Sequence, residues 1–171
     1  RVSTGLKVAS SLDDASAFAV AQGIRAEVRA LDSVIQGLNN SKAVGKVAVA
    51  GATAVSNLMI DIRQKLTELA NSSISAAQRT IIQRDFTELV SQAANFVSNA
   101  TYNGFELLTS GASTVNTLAN LAGGQLSLTA QGNVKLFINS LAGATTTTAA
   151  NAQSVIVGQF NDLETYVAQA L

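Results

Sequence analysis

The most regular pattern in this chain is a series of single apolar residues separated by three or four positions. The first such seam steps by four, three, four and three residues and consists of Ile24, Val28, Leu31, Ile35 and Leu38. This spacing places the side chains in one narrow stripe and is typical of a helix that packs against a partner helix. Asp13 or Asp14 is a suitable N-cap, so the helix is predicted to begin at residue 14.

The same helix is predicted to continue to residue 71. Its middle segment, residues 43–54, consists mostly of small residues and contains Gly45 and Gly51. Each glycine costs about 1 kcal/mol in a helix interior but lets another backbone come close. A second apolar stripe follows and consists of Val55, Leu58, Ile62, Leu66 and Leu69. We expect one long helix, bent in its small-residue segment; a break at Asn39-Asn40 is the alternative.

Two more helices are expected after Asn71-Ser72-Ser73, which ends the first. Ser75 and Gln78 have the spacing of a capping box and open a second helix over residues 75–98. Its predicted buried side consists of Ile74, Ile81, Ile82, Phe86, Leu89, Ala93 and Phe96. The last helix, residues 149–171, repeats the opening spacing with Ile156, Phe160, Leu163, Val167 and Ala170. The seams of all three helices are expected to pack together, with the last two as partners of the first.

Between the second and last helices the pattern changes to strands and loops, over residues 105–140. Tyr102-Asn103-Gly104-Phe105 is a turn signal. Residues 125–129 alternate between polar and apolar, Gln131-Gly132-Asn133 can turn, and residues 134–138 are predicted to return as a hairpin strand. The predicted fold is mainly α with a small β part: an elongated antiparallel helical bundle with a β-hairpin region at one end. Residues 1–171 are expected to form a single domain, in which residues 1–13 are a connecting segment.

Composition restricts the possible chemistry. Charged residues make up 13% of the chain, against roughly 25% in ordinary domains, and the net charge is zero. A surface with so few charges is typical of one covered by other subunits, and the neutral balance argues against nucleic-acid and anionic-membrane binding. The chain has no His and no Cys, which excludes a Ser-His triad, a thiol nucleophile and a Cys/His zinc site. We expect no enzyme activity, cofactor, metal site or membrane span.

Candidate polar sites each have a simpler structural interpretation. Asp13-Asp14 could be a carboxylate pair for a metal or for catalysis, but adjacent carboxylates at an N-cap are typical partners of the helix dipole. Arg63, Lys65 and Glu68 form a charged edge, which is either a solvated face or a partner site. Thr145 to Thr148 belong to a linker over residues 141–150, with O-glycosylation as the alternative.

Three segments, in order, resemble bacterial flagellin. Ser3-Thr4-Gly5-Leu6-Lys7-Val8 with Asp13-Asp14-Ala15 is similar to the family's Ser-Ser-Gly-Leu-Arg-Ile…Asp-Asp-Ala segment. Lys65-Leu66-Thr67-Glu68-Leu69-Ala70 is similar to the part that ends Arg-Glu-Leu-Ala. Phe96-Val97-Ser98-Asn99-Ala100-Thr101-Tyr102-Asn103-Gly104-Phe105 is similar to the Asn-x-Thr-x-Phe-Asn-Gly segment that closes the family's second helix. The resemblance covers about residues 2–108.

The resemblance implies a structural role in an extracellular filament used for swimming, with other flagellin protomers, an export chaperone and a filament cap as partners. It also implies that the two terminal helices of the parent protein lie outside this sequence, so the fragment itself is expected to be monomeric. A flagellin-related surface protein that binds a ligand or polysaccharide is an alternative. The hook–filament junction protein is another, but it usually has Pro after the Asp-Asp pair, where this chain has Ala15-Ser16.

Two candidate surfaces follow. In flagellins recognised by the innate receptor TLR5, the resemblance implies a receptor-facing stretch that reads Gln-Arg-Val-Arg-Glu-Leu. The matching residues here are Gln64, Lys65, Leu66, Thr67, Glu68 and Leu69. Lys65 stands at an arginine position and cannot make a bidentate guanidinium contact, so weak or absent recognition is expected. The second surface is a possible protomer-contact face formed by Val44, Gly45, Val47, Ala48 and Gly51, for which close packing within the bundle is the alternative.

Overall fold

A computed structural model of the chain describes residues 15–171. The described elements are α1 (Ala15–Ala70), α2 (Ala76–Asn99), β1 (Thr101–Tyr102), β2 (Phe105–Glu106), β3 (Val115–Leu118), β4 (Gln125–Leu128), α3 (Asn133–Ala142), α4 (Ala149–Val155) and α5 (Asn161–Ala170). A π-helical segment, Ile156–Phe160, joins α4 to α5. The mainly α fold with a small β part is confirmed. The N-cap proposed at Asp13 or Asp14 lies outside the described residues.

Helix α1 is continuous for 56 residues, so the alternative break at Asn39-Asn40 is wrong. By length and composition alone α1 could cross a membrane, but a core helix of a soluble protein passes the same test. The chain forms two compact units, and the boundary between them falls within α1. Among the described residues, one unit comprises residues 15–40 and 116–126, and the other comprises residues 41–115 and 127–171. That the chain acts as a single domain stays a prediction.

In the first unit, the described part of α1 presents its seam to solvent. Ile24, Val28, Leu31 and Ile35 are 56, 51, 45 and 55% exposed. The expectation that this seam packs against the second and last helices is therefore wrong for these four residues. A heptad spacing states that a partner is needed, but it does not state which segment supplies it. On another side of the helix, a Cβ added to Gly37 would lie 3.3 Å from the Thr117 methyl group.

The second unit contains the core, in which the second stripe of α1 packs against α2, and α3, α4 and α5 contribute further buried residues. Val55, Ile62, Leu66 and Leu69 are buried, as predicted, whereas Leu58 is only partly buried and Met59 is buried instead. The two helices are antiparallel, because Lys65 contacts Asp85 whereas Gly51 lies against Ala100.

Helix α2 begins with the predicted capping box. The Gln78 amide donates to Ser75 Oγ at 3.3 Å, and the Ser75 amide donates to Gln78 Oε1 at 2.9 Å. The buried stripe differs in part from the prediction, because it consists of Phe86, Val90, Ala93 and Val97. Ile81 and Phe96, predicted as core, are 56 and 45% exposed. Where two apolar residues are adjacent in sequence, such as Phe96 and Val97, the pattern does not determine which of them faces the core. Packing in the structure buries Val97.

The turn at Asn103-Gly104 joins two short antiparallel strands, with Thr101 opposite Glu106 and Tyr102 opposite Phe105. Both turn residues have positive φ, 51° at Asn103 and 81° at Gly104, which is typical of a type I′ turn. The predicted turn is therefore confirmed.

The second predicted hairpin is wrong. Residues 134–138 belong to α3, and β4 pairs with β3 instead. The buried residues of α3 are spaced by four and three positions: Val134, Ile138 and Leu141. The sequence therefore fits a helical repeat as well as the strand alternation on which the prediction was based. Gly132 precedes α3, where a Cβ would lie 2.7 Å from the Thr109 carbonyl oxygen, which leaves room for glycine alone.

The last helix packs on α3, and the rings of Phe137 and Tyr166 stack with centroids 5.0 Å apart. Phe160, Leu163 and Val167 are buried as predicted, but Val155 replaces Ile156 in the core. The π-helical segment causes this change: the Asn161 amide donates to the Ile156 carbonyl, five residues earlier. The segment inserts one extra residue between two helical turns.

Candidate protein-binding surfaces

Lys65 lies at the centre of the charged edge and connects α1 to α2. Its Nζ is 3.4 Å from Glu68 Oε2 on the same helix and 3.5 Å from Asp85 Oδ2 on α2. Partial desolvation alone would lower the pKa of Lys65. It is outweighed by the coulombic attraction and hydrogen bonds of Glu68 and Asp85, so the pKa of Lys65 is raised above its usual value. Gln64 Nε2 also donates to Glu68 Oε1 at 2.9 Å. The positive charge of Lys65 is therefore balanced within the chain.

Arg63 connects α1 to α5. Its Nη1 lies 2.9 Å from Glu164 Oε1, and its guanidinium carbon is 5.7 Å from the centroid of the Phe160 ring. The ring is buried, whereas the side chains of Arg63 and Glu164 are 53 and 39% exposed. A cation over an aromatic face is attracted by the ring, and the exposed ion pair with Glu164 adds a modest further contact. Arg63 therefore serves the packing of α5 on α1.

The stretch expected to face an innate receptor is divided by the helix into two sides. Leu66 and Leu69 are fully buried in the core, which corrects the expectation that the whole stretch faces a partner. The helical period explains this, because residues three apart lie on one side of the helix. Gln64 and Thr67 are exposed, and Lys65 and Glu68 are half-buried, so these four residues contribute the surface of the stretch.

The possible protomer-contact face is also divided. Val44, Ala48 and Gly51 are buried in the chain's own core, where a Cβ on Gly51 would lie 2.7 Å from Ala100 Cβ. For these three residues the alternative interpretation, close packing within the bundle, is correct. Gly45 and Val47 are half-buried, and contact with a neighbouring protomer stays a prediction for them.

An open groove of about 860 Å³ lies between α1 and α5 and was not predicted. Its apolar lining includes Met59, Ile60, Val167 and Leu171, and the Arg63–Glu164 pair lies along it. Ile60 is 71% exposed. In the sequence, the groove is indicated only by Ile60, an apolar residue that lies outside the predicted second stripe of α1. The groove has the dimensions of a binding cleft, but it contains no convergent acid–base pair.

The threonines of the linker are the remaining polar candidates within residues 15–171. No group of three or more His, Cys, Asp or Glu side chains that could hold a metal ion is found in that range. In the linker, Thr148 caps α4 by accepting from the Asn151 amide at 3.2 Å, and Thr146 is buried and accepts from Gln83 Nε2 at 3.4 Å. These two threonines are therefore structural. The Asp13-Asp14 pair lies outside the described residues.

Comparison with known proteins agrees with this arrangement. The chain is 28% identical to flagellin FljO of Caulobacter vibrioides over 159 residues, which cover 91% of this chain and 57% of the relative. It is 31% identical to flagellin FlaB2 of Treponema pallidum over 109 residues, 64% of this chain and 38% of the relative. The chain thus spans about half the length, or less, of these relatives. The crystal structure of Bacillus cereus flagellin shares the fold, with a TM-score of 0.57 at 18% identity, over 78% of this chain and 83% of that chain.

A family match covers most of the chain. The family described as the bacterial flagellin N-terminal helical region matches residues 1–114, which include α1, α2 and the β1–β2 hairpin. Together with the capping box, the Asn-Gly turn and the α1–α2 core described above, this match shows that the chain belongs to the bacterial flagellin family.

Proposed function

We propose that this chain is the helical core of a structural subunit of the bacterial flagellar filament, exported and assembled outside the cell for swimming motility. The observation that carries the proposal is the exposed seam of α1, in which four apolar residues of one stripe, Ile24, Val28, Leu31 and Ile35, are each about half exposed. A row of exposed apolar residues at coiled-coil spacing is typical of a surface that another helix covers in an assembly. The role is mechanical, since helices and their contacts perform it and no catalytic group is required.

The low charge of the chain supports assembly with other protomers. Only 13% of its residues are charged, which lowers the desolvation cost of covering its surfaces. An export chaperone and a filament cap are further proposed partners, by analogy with the family. The isolated chain is proposed to be monomeric, and sedimentation that shows filaments would contradict this.

The test introduces Ile35→Glu into a full-length flagellin that carries this chain, in cells without another flagellin. Ile35 is 55% exposed, so the substitution spares the buried core of the second unit. A charge inside a covered seam is costly, and we expect few or no filaments and loss of swimming. The matched control is Gln36→Glu, which adds the same charge at the next exposed position, outside the seam. Normal filaments in both variants would contradict the proposal, provided that both proteins accumulate equally.

Weak recognition by the innate receptor is a separate proposal. Lys65 already pairs with Glu68 and Asp85, and a lysine lacks the forked guanidinium of the arginine found in recognised flagellins. Titration of the receptor ectodomain with the chain should show weak or no binding, and Lys65→Arg should strengthen it. A nanomolar complex with the unsubstituted chain would contradict this proposal.

A further inference from the structure

The β1–β2 turn combines two residues with a specific chemical reactivity. Asn103 is followed by Gly104, and this is the only Asn-Gly pair among the 171 residues. Both residues are exposed, and an atom placed at the Cβ position of Gly104 would meet nothing within 4 Å. Gly104 itself carries no side chain, and nothing beyond its two chain neighbours crowds its Cβ position, so steric hindrance to attack by its amide nitrogen on the Asn103 side chain is low.

This arrangement allows an internal cyclisation. The deprotonated Gly104 nitrogen attacks Cγ of Asn103, the Cγ–Nδ2 bond breaks, and ammonia leaves with the transferred proton. The product is a five-membered succinimide. Water then adds to one of the two ring carbonyls and breaks the C–N bond on that side, which yields aspartate or isoaspartate. Water is the only co-reactant, and no oxidation or reduction takes place.

We propose that Asn103 is a site of spontaneous deamidation and isoaspartate formation, and that it reacts faster than any other asparagine of the folded chain. Ring closure requires Asn103 to leave its left-handed conformation, which has a φ of 51°. The hairpin opposes this with only two residue pairs, and such short two-stranded hairpins are marginally stable in water. Frequent local opening therefore exposes the reactive geometry.

Other asparagines are held more firmly or followed by bulkier residues. The side chain of Asn120 accepts from the Gly124 amide at 2.8 Å, and a leucine follows it in the sequence. The side chain of Asn71 accepts from the Ser73 amide at 2.9 Å, and a serine follows it. Asn99, the nearest matched comparison, ends α2 and precedes Ala100. Each of these has a hindered nitrogen, a restrained side chain, or both.

The modification changes the structure beyond the turn. Isoaspartate adds one methylene group to the main chain and one negative charge, and a two-residue turn fixes the register of its strands. Strand β2 leads directly into the buried residues Leu107 and Leu108, whose carbonyls accept from the amides of Gln131 and Lys135 at 2.6 and 3.2 Å. Loss of the hairpin register therefore loosens the contacts that hold the beginning of α3.

The test incubates the folded chain at mildly alkaline pH and follows each asparagine by peptide mass spectrometry, with an isoaspartyl methyltransferase assay. We expect the peptide that contains Asn103 to convert several-fold faster than the one that contains Asn99. The chain unfolded in urea serves as the positive control for the intrinsic reactivity of every asparagine. Equal rates at Asn103 and Asn99 in the folded chain, or no conversion at Asn103 while the unfolded chain reacts, would overturn the proposal.

Two variants separate the chemistry from the fold. Asn103→Gln keeps the amide but would need a less favourable six-membered ring, so conversion at this position should stop. Asn103→Asp adds the charge without the methylene group. Hydrogen exchange at the Gln131 and Lys135 amides should accelerate in the isoaspartate form and much less in Asn103→Asp. Equal exchange in the isoaspartate form and in the unmodified chain would overturn the structural consequence.

Discussion

A close approach of α1 to the rest of the core occurs at Gly51, and it yields the sharpest prediction. A Cβ at this position would lie 2.7 Å from Ala100 Cβ and 3.1 Å from Leu108 Cδ1. In Gly51→Ala the helix gains about 1 kcal/mol of propensity. Forcing a methyl group into a filled core costs about 1–3 kcal/mol. We therefore expect Gly51→Ala to be neutral or to lower the free energy of unfolding by as much as about 2 kcal/mol.

Gly45→Ala is the matched control, because it lies in the same helix and the same unit. Its Cβ would be 3.9 Å from Leu128 Cδ1, an ordinary contact, so only the propensity gain of about 1 kcal/mol remains. The two variants should differ by about 1–3 kcal/mol, or several degrees in Tm for a chain of this size. Urea unfolding followed by circular dichroism measures both free energies.

Ala100→Gly provides a rescue test of the same contact. Removal of the Ala100 methyl group opens the space that Gly51→Ala needs, so the double variant should recover part of the loss. Independent, additive effects of the two substitutions would show that the contact with Ala100 is not the cause. Equal stability of Gly51→Ala and Gly45→Ala would show that close packing does not require glycine at position 51.

Three further predictions follow from other contacts. Phe86→Ala should lower the free energy of unfolding by about 3–5 kcal/mol because Phe86 is buried. Phe96→Ala should lower it far less because Phe96 is 45% exposed. Similar losses for the two variants, measured by urea unfolding, would contradict the packing of α2. Deletion of Gly158 should convert the π-helical segment to regular α-helix and keep the same residues buried. The Tm, measured by circular dichroism, should be unchanged or higher. Loss of the helical fold would show that the extra residue is required. Because the pKa of Lys65 is raised in the folded chain, protonated Lys65 adds to the free energy of unfolding; this contribution is complete below the unfolded pKa and is lost as the pH rises through the folded pKa. Lys65→Met should therefore reduce the loss of stability above about pH 10. Parallel profiles of stability against pH for the two proteins would contradict this.

The sequence alone determined the features that depend on neighbouring residues. The capping box of Ser75 and Gln78, the Asn103-Gly104 turn and the second stripe of α1, apart from Leu58, each require residues within a few positions of one another. Local backbone preference and the helical period act at that distance, so the sequence pattern is sufficient. The same is true of the excluded chemistry, since a chain without His and Cys cannot form the corresponding sites.

Tertiary structure decided what depends on competition between distant segments. Pattern alone could not show that residues 134–138 join a helix, that Val97 rather than Phe96 is buried, or that a π-helical segment selects Val155 over Ile156. In each case the local sequence is equally compatible with burying either of two adjacent apolar residues, or with either a helical or a strand repeat. Close packing of one common core selects between these alternatives. The exposed seam at residues 24–35 shows the same limit: its spacing specifies that a helix must cover it, and only tertiary packing identifies which residues of this chain are covered.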